Sequence, residues 1–211
     1  MTEAEWLACE EPRPMIQFLR GWVSDRRLRL FGCACYLNLW IRFPVAELYR
    51  DVLRASEAYA DQRISKSQFK LSRKKGDWEK VPCVTGEAWE VAQGAARDCS
   101  GESSKRVQRG DKWEDQVIWE RPEETVIQVG LIRCIFGNPF RPVPFSPAWR
   151  TCTVLALASQ MYDLRDFSAM PILADALQDA GCDRTDVLDH CRGAGPHARG
   201  CRVVDQVLGK E

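Results

Sequence analysis

The densest group of side chains with chemical potential lies near the C-terminus, where the two histidines of the chain stand seven residues apart beside cysteines. Its members are His190, Cys191, His197 and Cys201. Zinc prefers four tetrahedral ligands, chiefly thiolates and imidazoles, so these residues form a candidate zinc site. However, their spacing matches no standard zinc knuckle, and the adjacent His190 and Cys191 are awkwardly placed to bind one ion. The competing interpretation is structural, with histidines that cap a helix or bond a loop beside buried thiols.

The same residues could instead support thiol chemistry. A cysteine becomes nucleophilic when a neighbouring imidazole lowers the pKa of its thiol. Cys191 or Cys201 beside either histidine, oriented by Asp189, is the available set, although only tertiary geometry can decide it. The chain carries no Gly-x-Ser-x-Gly motif and no glycine-rich phosphate-binding loop of the familiar kinds. In the absence of a recognisable catalytic motif, we favour a non-enzymatic role with no catalytic residue and no obligatory cofactor.

Basic residues are unevenly distributed, although the 30 Lys and Arg residues balance the 30 Asp and Glu residues overall. Arg26, Arg27 and Arg29 occupy the outward positions of a predicted N-terminal helix. A basic face of this kind could bind nucleic acid through its phosphates. The alternatives are a solvated helix face, or a face that pairs with the acidic C-terminal part or with another copy of the chain.

Aromatic residues suggest a surface for protein partners. The chain has eight tryptophans, and the proline-rich segment from Phe140 to Trp149 could contribute to a docking groove, since tryptophan and arginine are favoured interface anchors. The sequence therefore predicts a non-enzymatic protein-interaction or adaptor module that binds a protein partner or another copy of itself. Two alternatives stay open: a zinc-binding or thiol-dependent enzyme centred on residues 189–201, and a nucleic-acid-binding accessory protein.

The elements that must position these residues are predicted to be helices. Apolar residues recur at three- and four-residue intervals along most of the chain, as in amphipathic helices. We expect an all-α fold, an irregular bundle of about seven to nine helices with a proline-rich connector, built as a single domain over residues 1–211. The Gly- and Ser-rich composition around residues 99–112 predicts a mobile loop or a subdomain junction there.

The ten cysteines are expected to be reduced. The N-terminus is acidic and lacks the pattern of a secretory signal, and no apolar run reaches the roughly 18 to 20 residues needed to span a bilayer. We therefore expect a cytoplasmic protein that does not enter a membrane. Thiols stay reduced in that compartment, and most of them should serve as small core residues.

Several longer motifs resemble those of a known protein family. In the N-terminal part they are Met1–Leu7, Pro12–Met15, Phe18–Gly21 and Ser24–Phe31; in the C-terminal half they are Ile135–Pro142, Pro171–Leu177 and Asp189–Cys201. Together they resemble a paralogous family that is much duplicated in planctomycete bacteria. The resemblance covers about two thirds of the chain, and it implies membership of that family without implying an activity.

Overall fold

The computed structural model describes residues 1–42, 47–73, 86–109, 112–119 and 121–210. Within these ranges the chain forms eleven α-helices, one 3-10 turn at Pro147–Trp149 and one β-hairpin. The helices are α1 Glu3–Ala8, α2 Pro12–Phe18, α3 Asp25–Arg42, α4 Glu47–Ala60, α5 Lys66–Arg73, α6 Ala88–Ser100, α7 Pro122–Phe136, α8 Cys152–Leu164, α9 Met170–Asp179, α10 Thr185–Arg192 and α11 Arg202–Leu208. The strands are β1 Glu102–Arg109 and β2 Lys112–Trp119.

The predicted α-helical class is confirmed for the described chain apart from this hairpin. The eleven helices of the described ranges are more than the seven to nine predicted. One reason is that α1 has only six residues and is too short to show a periodic pattern. The predicted proline-rich connector runs from Asn138 to Trp149 and contains no regular structure besides the 3-10 turn.

The hairpin corrects the prediction of a loop within residues 99–112. The strands β1 and β2 pair antiparallel, from Glu102 opposite Trp119 to Arg109 opposite Lys112. Helix α6 ends at Ser100, and Gly101 adopts the left-handed conformation (φ 67°) that leads into β1. The sequence of β1 contains a single apolar residue, Val107, so it lacks the apolar alternation by which strands are recognised.

The chain divides into two compact units. The first comprises residues 1–8 and 130–211 and is called the terminal unit; the second comprises residues 9–129 and is called the central unit. The division falls inside α7, between Val129 and Gly130. The predicted junction within residues 99–112 therefore lies inside the central unit and does not coincide with this division.

The central unit is built around α3 and its neighbours α4 and α6. Helices α3 and α6 approach closely at Gly32, where an added Cβ would lie 2.6 Å from the side chain of Val91. The buried face of α6 is rich in alanine, which also permits a short distance between helices; it includes Ala88, Ala92, Ala95 and Ala96.

The terminal unit has its own apolar core, formed chiefly by α8, α9, α10 and α11 with Cys134 of α7. Its largest fully buried side chains include Met161 and Tyr162 of α8. The proline-rich connector is held to α11, because the Gln206 side-chain amide donates to the carbonyl of Val143 and Arg150 donates to the carbonyl of Gln206. This core fixes the elements that carry the candidate site.

No disulfide bond joins any of the nine cysteines within the described ranges, and seven of these cysteines are buried. Cys83 lies outside the described residues. Among the helices that the structure describes, none combines the length and apolarity required to cross a membrane.

Candidate metal centre

Four metal-ligating side chains converge in the terminal unit. They are Cys134 on α7, His190 on α10, His197 in the loop that follows α10, and Cys201 at the N-terminal boundary of α11. One ligand atom from each residue lies within 4.8 Å of the ligand atoms of the other three. Both cysteines are buried and both histidines are partly exposed, so the imidazoles form the side of the group that is nearer to solvent.

The ring nitrogens face the sulfur atoms in two short contacts. His190 Nε2 lies 3.2 Å from Cys201 Sγ, and His197 Nδ1 lies 3.7 Å from Cys134 Sγ. The two imidazole rings are nearly perpendicular, with an interplanar angle of 84° and centroids 5.0 Å apart. The group therefore presents two sulfur and two nitrogen ligand atoms around one small volume.

The loop between α10 and α11 fixes His197. The other ring nitrogen of His197, Nε2, lies 3.3 Å from the carbonyl oxygen of Gly193. Gly195 adopts φ +88°, which favours glycine, and a Cβ there would lie 3.1 Å from the backbone nitrogen of His197. On the opposite side, Gly130 of α7 lets Pro196 approach so closely that an added Cβ would lie 2.5 Å from its Cδ.

The surroundings of the two thiols shift their pKa values in opposite directions. Burial acts to raise the pKa of Cys201, but the hydrogen bond from the Cys134 thiol, the charge and hydrogen bond of His190 and the hydrogen bond of His197 together hold it well below its usual range. The pKa of Cys134 is raised by that same hydrogen bond and by burial. Burial acts to lower the pKa of His197, yet contact with Cys201 and the carbonyl of Gly193 raises it overall.

Comparison with known proteins gives no relative for this arrangement. No family model, no curated protein and no solved structure matches the chain.

Three of the four predicted metal ligands meet, and the fourth position differs from the prediction. Cys134 completes the group with His190, His197 and Cys201, whereas Cys191 is not a member. Adjacent residues on a helix point about 100° apart. Cys191 therefore faces the apolar core of the terminal unit while its neighbour His190 faces the loop. Burial raises the pKa of the Cys191 thiol, as expected for a core residue.

Sequence reasoning missed Cys134 because it lies far from the other ligands along the chain and has apolar neighbours on its helix. It resembles an ordinary small core residue, and it is indeed part of the apolar core. Asp189, the predicted orienting acid, is exposed. No local signal marks Cys134 as a member of this group; only the packing of α7 against the loop brings it there.

The arginines proposed for nucleic acid are not on an open basic face. The Arg26 side chain is 10% exposed and pairs with the buried carboxylate of Asp61 at 3.0 Å, and Arg27 is half-buried. Arg29 is buried, donates to the carbonyl of Gly86 at 3.1 Å, and lies over the ring of Tyr59. Arg26 and Arg29 therefore bind to other residues of the central unit.

The two aromatic residues proposed for a protein partner differ in exposure. Phe140 is 39% exposed. Trp149 is half-buried, packs against the apolar core and makes an edge-to-face contact with Phe145 at a centroid distance of 5.2 Å. Of the pair, only Phe140 is an exposed residue.

Proposed function

We propose that the terminal unit binds one Zn²⁺ through Cys134, His190, His197 and Cys201, and that this ion is structural. The single observation that carries the proposal is the convergence of these four ligand atoms within 4.8 Å of one another. Two thiolates and two imidazoles form one of the common ligand sets of structural zinc.

The distances are compatible with a tetrahedral ion. Zinc–sulfur bonds of about 2.3 Å and zinc–nitrogen bonds of about 2.05 Å imply sulfur–nitrogen separations of about 3.6 Å around a tetrahedron. The contacts of 3.2 Å and 3.7 Å lie on either side of this value. The Gly193 carbonyl supplies the outer hydrogen bond that a metal-bound histidine usually makes with its second ring nitrogen.

A structural role follows from the number of protein ligands. A catalytic zinc keeps one coordination position open for water or substrate, whereas four protein ligands close the sphere. We therefore propose a non-enzymatic, zinc-stabilised helical module. A cytoplasmic setting belongs to this proposal, since a reducing compartment keeps the thiols available for the metal.

The direct test is zinc analysis of the purified full chain. We expect one zinc per chain, with an X-ray absorption spectrum that fits two sulfur and two nitrogen neighbours. Cys134→Ser should lose most of the zinc. Cys191→Ser is the matched control, because it removes a buried thiol of the same core without removing a ligand, and it should keep the full stoichiometry. An absence of zinc in the reduced wild-type protein, even after incubation with the ion, would remove the proposal.

We propose further that the module acts through protein contacts, including contacts between copies of the chain. Exposed apolar residues of the terminal unit support this role; they include Leu164 and Ile172, which are 66% and 59% exposed. The zero formal net charge removes a barrier to self-association. Sedimentation at increasing protein concentration is expected to show a dimer that Ile172→Glu weakens; a strict monomer would argue against self-association.

Thiol-dependent catalysis is a second candidate, favoured by the 3.2 Å contact between His190 Nε2 and Cys201 Sγ and by the lowered pKa of Cys201. The complete burial of Cys201 opposes it, since a nucleophile must reach its substrate. Alkylation of the metal-free protein with iodoacetamide separates the two candidates. A catalytic thiol should react at Cys201 before the exposed Cys152, while a structural ligand should react after it.

A further inference from the structure

We infer that the zinc centre is a redox-controlled site, in which a hydroperoxide oxidises Cys134 and Cys201 to a disulfide and thereby expels the metal. This inference rests on the proposed zinc binding. It is carried by the geometry of the two sulfur atoms, which belong to one group of four ligand atoms that all lie within 4.8 Å of one another.

The two sulfurs are near each other without being bonded. Around a tetrahedral zinc they would lie about 3.8 Å apart, and a disulfide requires about 2.05 Å. Disulfide formation therefore requires the two sulfurs to approach each other by about 1.75 Å from the zinc-bound arrangement. No disulfide occupies this position in the reduced chain described.

The reaction balances with hydrogen peroxide as the oxidant. The thiolate of one cysteine attacks a peroxide oxygen and breaks the O–O bond, giving a sulfenic acid and hydroxide, which takes up a proton to form water. The second thiolate then attacks the sulfenic sulfur, forms the S–S bond and releases a second hydroxide. Two sulfurs lose two electrons in total, the peroxide becomes two water molecules, and two protons are consumed.

Loss of both thiolates leaves His190 and His197 as the remaining ligands. Two neutral imidazoles are a poor set for an ion that needs four donors, so disulfide formation and zinc release are coupled. The partly exposed imidazole side of the group offers the route by which peroxide enters and zinc leaves.

Cys191 gives the inference a competing outcome. It is buried in the same core and interacts electrostatically with Cys201, so it is the alternative disulfide partner. The geometry favours Cys134, because Cys134 and not Cys191 belongs to the group within 4.8 Å.

The test treats the zinc-loaded full chain with hydrogen peroxide and follows released zinc with a chromogenic chelator. We expect one zinc released for each pair of thiols lost, a Cys134–Cys201 linkage on peptide mapping, and return of zinc binding after dithiothreitol. Cys191→Ser should release zinc as the wild type does. Cys152→Ser controls for the exposed thiol and should leave the zinc release unchanged.

Each contrary outcome has a defined meaning. Zinc that stays bound while peroxide oxidises other thiols would overturn the inference and leave the zinc proposal standing. Zinc release accompanied by a Cys191–Cys201 linkage, or by sulfinic acid without a disulfide, would overturn it as well. A protein that never binds zinc would instead refute the proposed function. A Cys134→His variant that retains zinc provides a further check, because it keeps four ligands and should resist peroxide-driven release.

Discussion

Cys191 and Cys201 have no solvent exposure and belong to the same apolar core, yet their chemistry differs because their neighbours differ. Burial raises the pKa of Cys191, as it does for any thiol that is removed from water without compensation. Cys201 is equally buried, but its hydrogen bonds with Cys134 and the imidazoles outweigh burial and lower its pKa. Burial alone therefore does not distinguish a structural thiol from a ligand.

We predict that even replacement of Gly130 by alanine disturbs the candidate metal centre. Gly130→Ala would bring a Cβ to 2.5 Å from Pro196 Cδ, in the loop that carries His197. Overpacking of this kind costs about 1–3 kcal/mol in the free energy of unfolding, and the displaced loop should also weaken zinc binding. Urea titration and competition with a zinc-binding dye measure the two effects.

Gly94→Ala is the matched control for that substitution. Gly94 is also a helical glycine, but no described atom lies within 4 Å of its added Cβ. Alanine should stabilise the helix there by about 0.5–1 kcal/mol. Equal effects at the two glycines would contradict the close approach of α7 to the loop.

We predict that substitution of Arg29 lowers the stability of the fold, and not that it removes a contact with nucleic acid. Its guanidinium lies 5.2 Å and 5.5 Å from the ring centroids of Tyr59 and Phe69, and it donates to the Gly86 carbonyl. Arg29→Ala should lower the free energy of unfolding by about 1–3 kcal/mol, from the lost cation–π contacts and hydrogen bond. Arg54→Ala removes an exposed ion pair with Asp51 and should change stability by less than about 1 kcal/mol. A folded, fully stable Arg29→Ala protein would contradict this role.

Among the elements, the short helices α10 and α11 show how the terminal unit depends on tertiary contacts. They contain eight and seven residues, and isolated helices shorter than about 12 residues are marginal in water. Both are held by their buried faces, which include Val187 and Val203. A metal ion bound to His190 and Cys201 would cross-link the end of one to the beginning of the other.

Helix α8 gives the clearest prediction at this scale. Its N-terminus is capped by Thr151, whose hydroxyl accepts a hydrogen bond from the backbone N–H of Val154 at 3.3 Å. Thr151→Ala should lower the free energy of unfolding by about 0.5–2 kcal/mol, whereas Thr151→Ser, which keeps the hydroxyl, should lower it much less. Chemical denaturation of the two variants measures the difference; indistinguishable variants would show that this cap contributes nothing.

For the whole molecule, the ligands of the centre connect distant parts of the chain. Cys134 lies on the helix that begins the main part of the terminal unit, and Cys201 lies just before its last helix. A metal that links them would stabilise the folded state, because the unfolded chain offers no preformed site and the binding free energy is therefore gained only on folding. Stability should therefore depend on free zinc concentration.

Removal of the ion is predicted to lower the melting temperature of the chain. At free zinc about 1,000-fold above its dissociation constant, binding contributes about 4 kcal/mol to the folded state. In calorimetry, a zinc chelator should lower the melting temperature, and subsequent addition of excess zinc should restore it. Addition of Mg²⁺ is the control, since it prefers oxygen ligands. A melting temperature that changes with neither the chelator nor zinc would contradict a structural ion.

Local patterns in the sequence determined most of the helices, because the spacing of apolar residues depends only on helix geometry. For example, Val126, Val129, Ile132 and Phe136 recur at helical intervals, and they lie on α7. The proline-rich connector also follows from its own residues. The hairpin is different, since β1 lacks an apolar alternation and becomes a strand through its pairing with β2.

Three members of the candidate centre, His190, His197 and Cys201, are close enough in sequence to be recognised together. Tertiary structure alone supplied Cys134 and excluded Cys191, because helix geometry turns adjacent side chains in different directions and chain packing joins residues that sequence keeps apart. Arg29 is buried in the tertiary structure, although its position on the predicted helix indicated that it faces outward. Contacts between distant parts of the chain decide which residues join the candidate centre and which are buried. Such contacts leave no local pattern in the sequence.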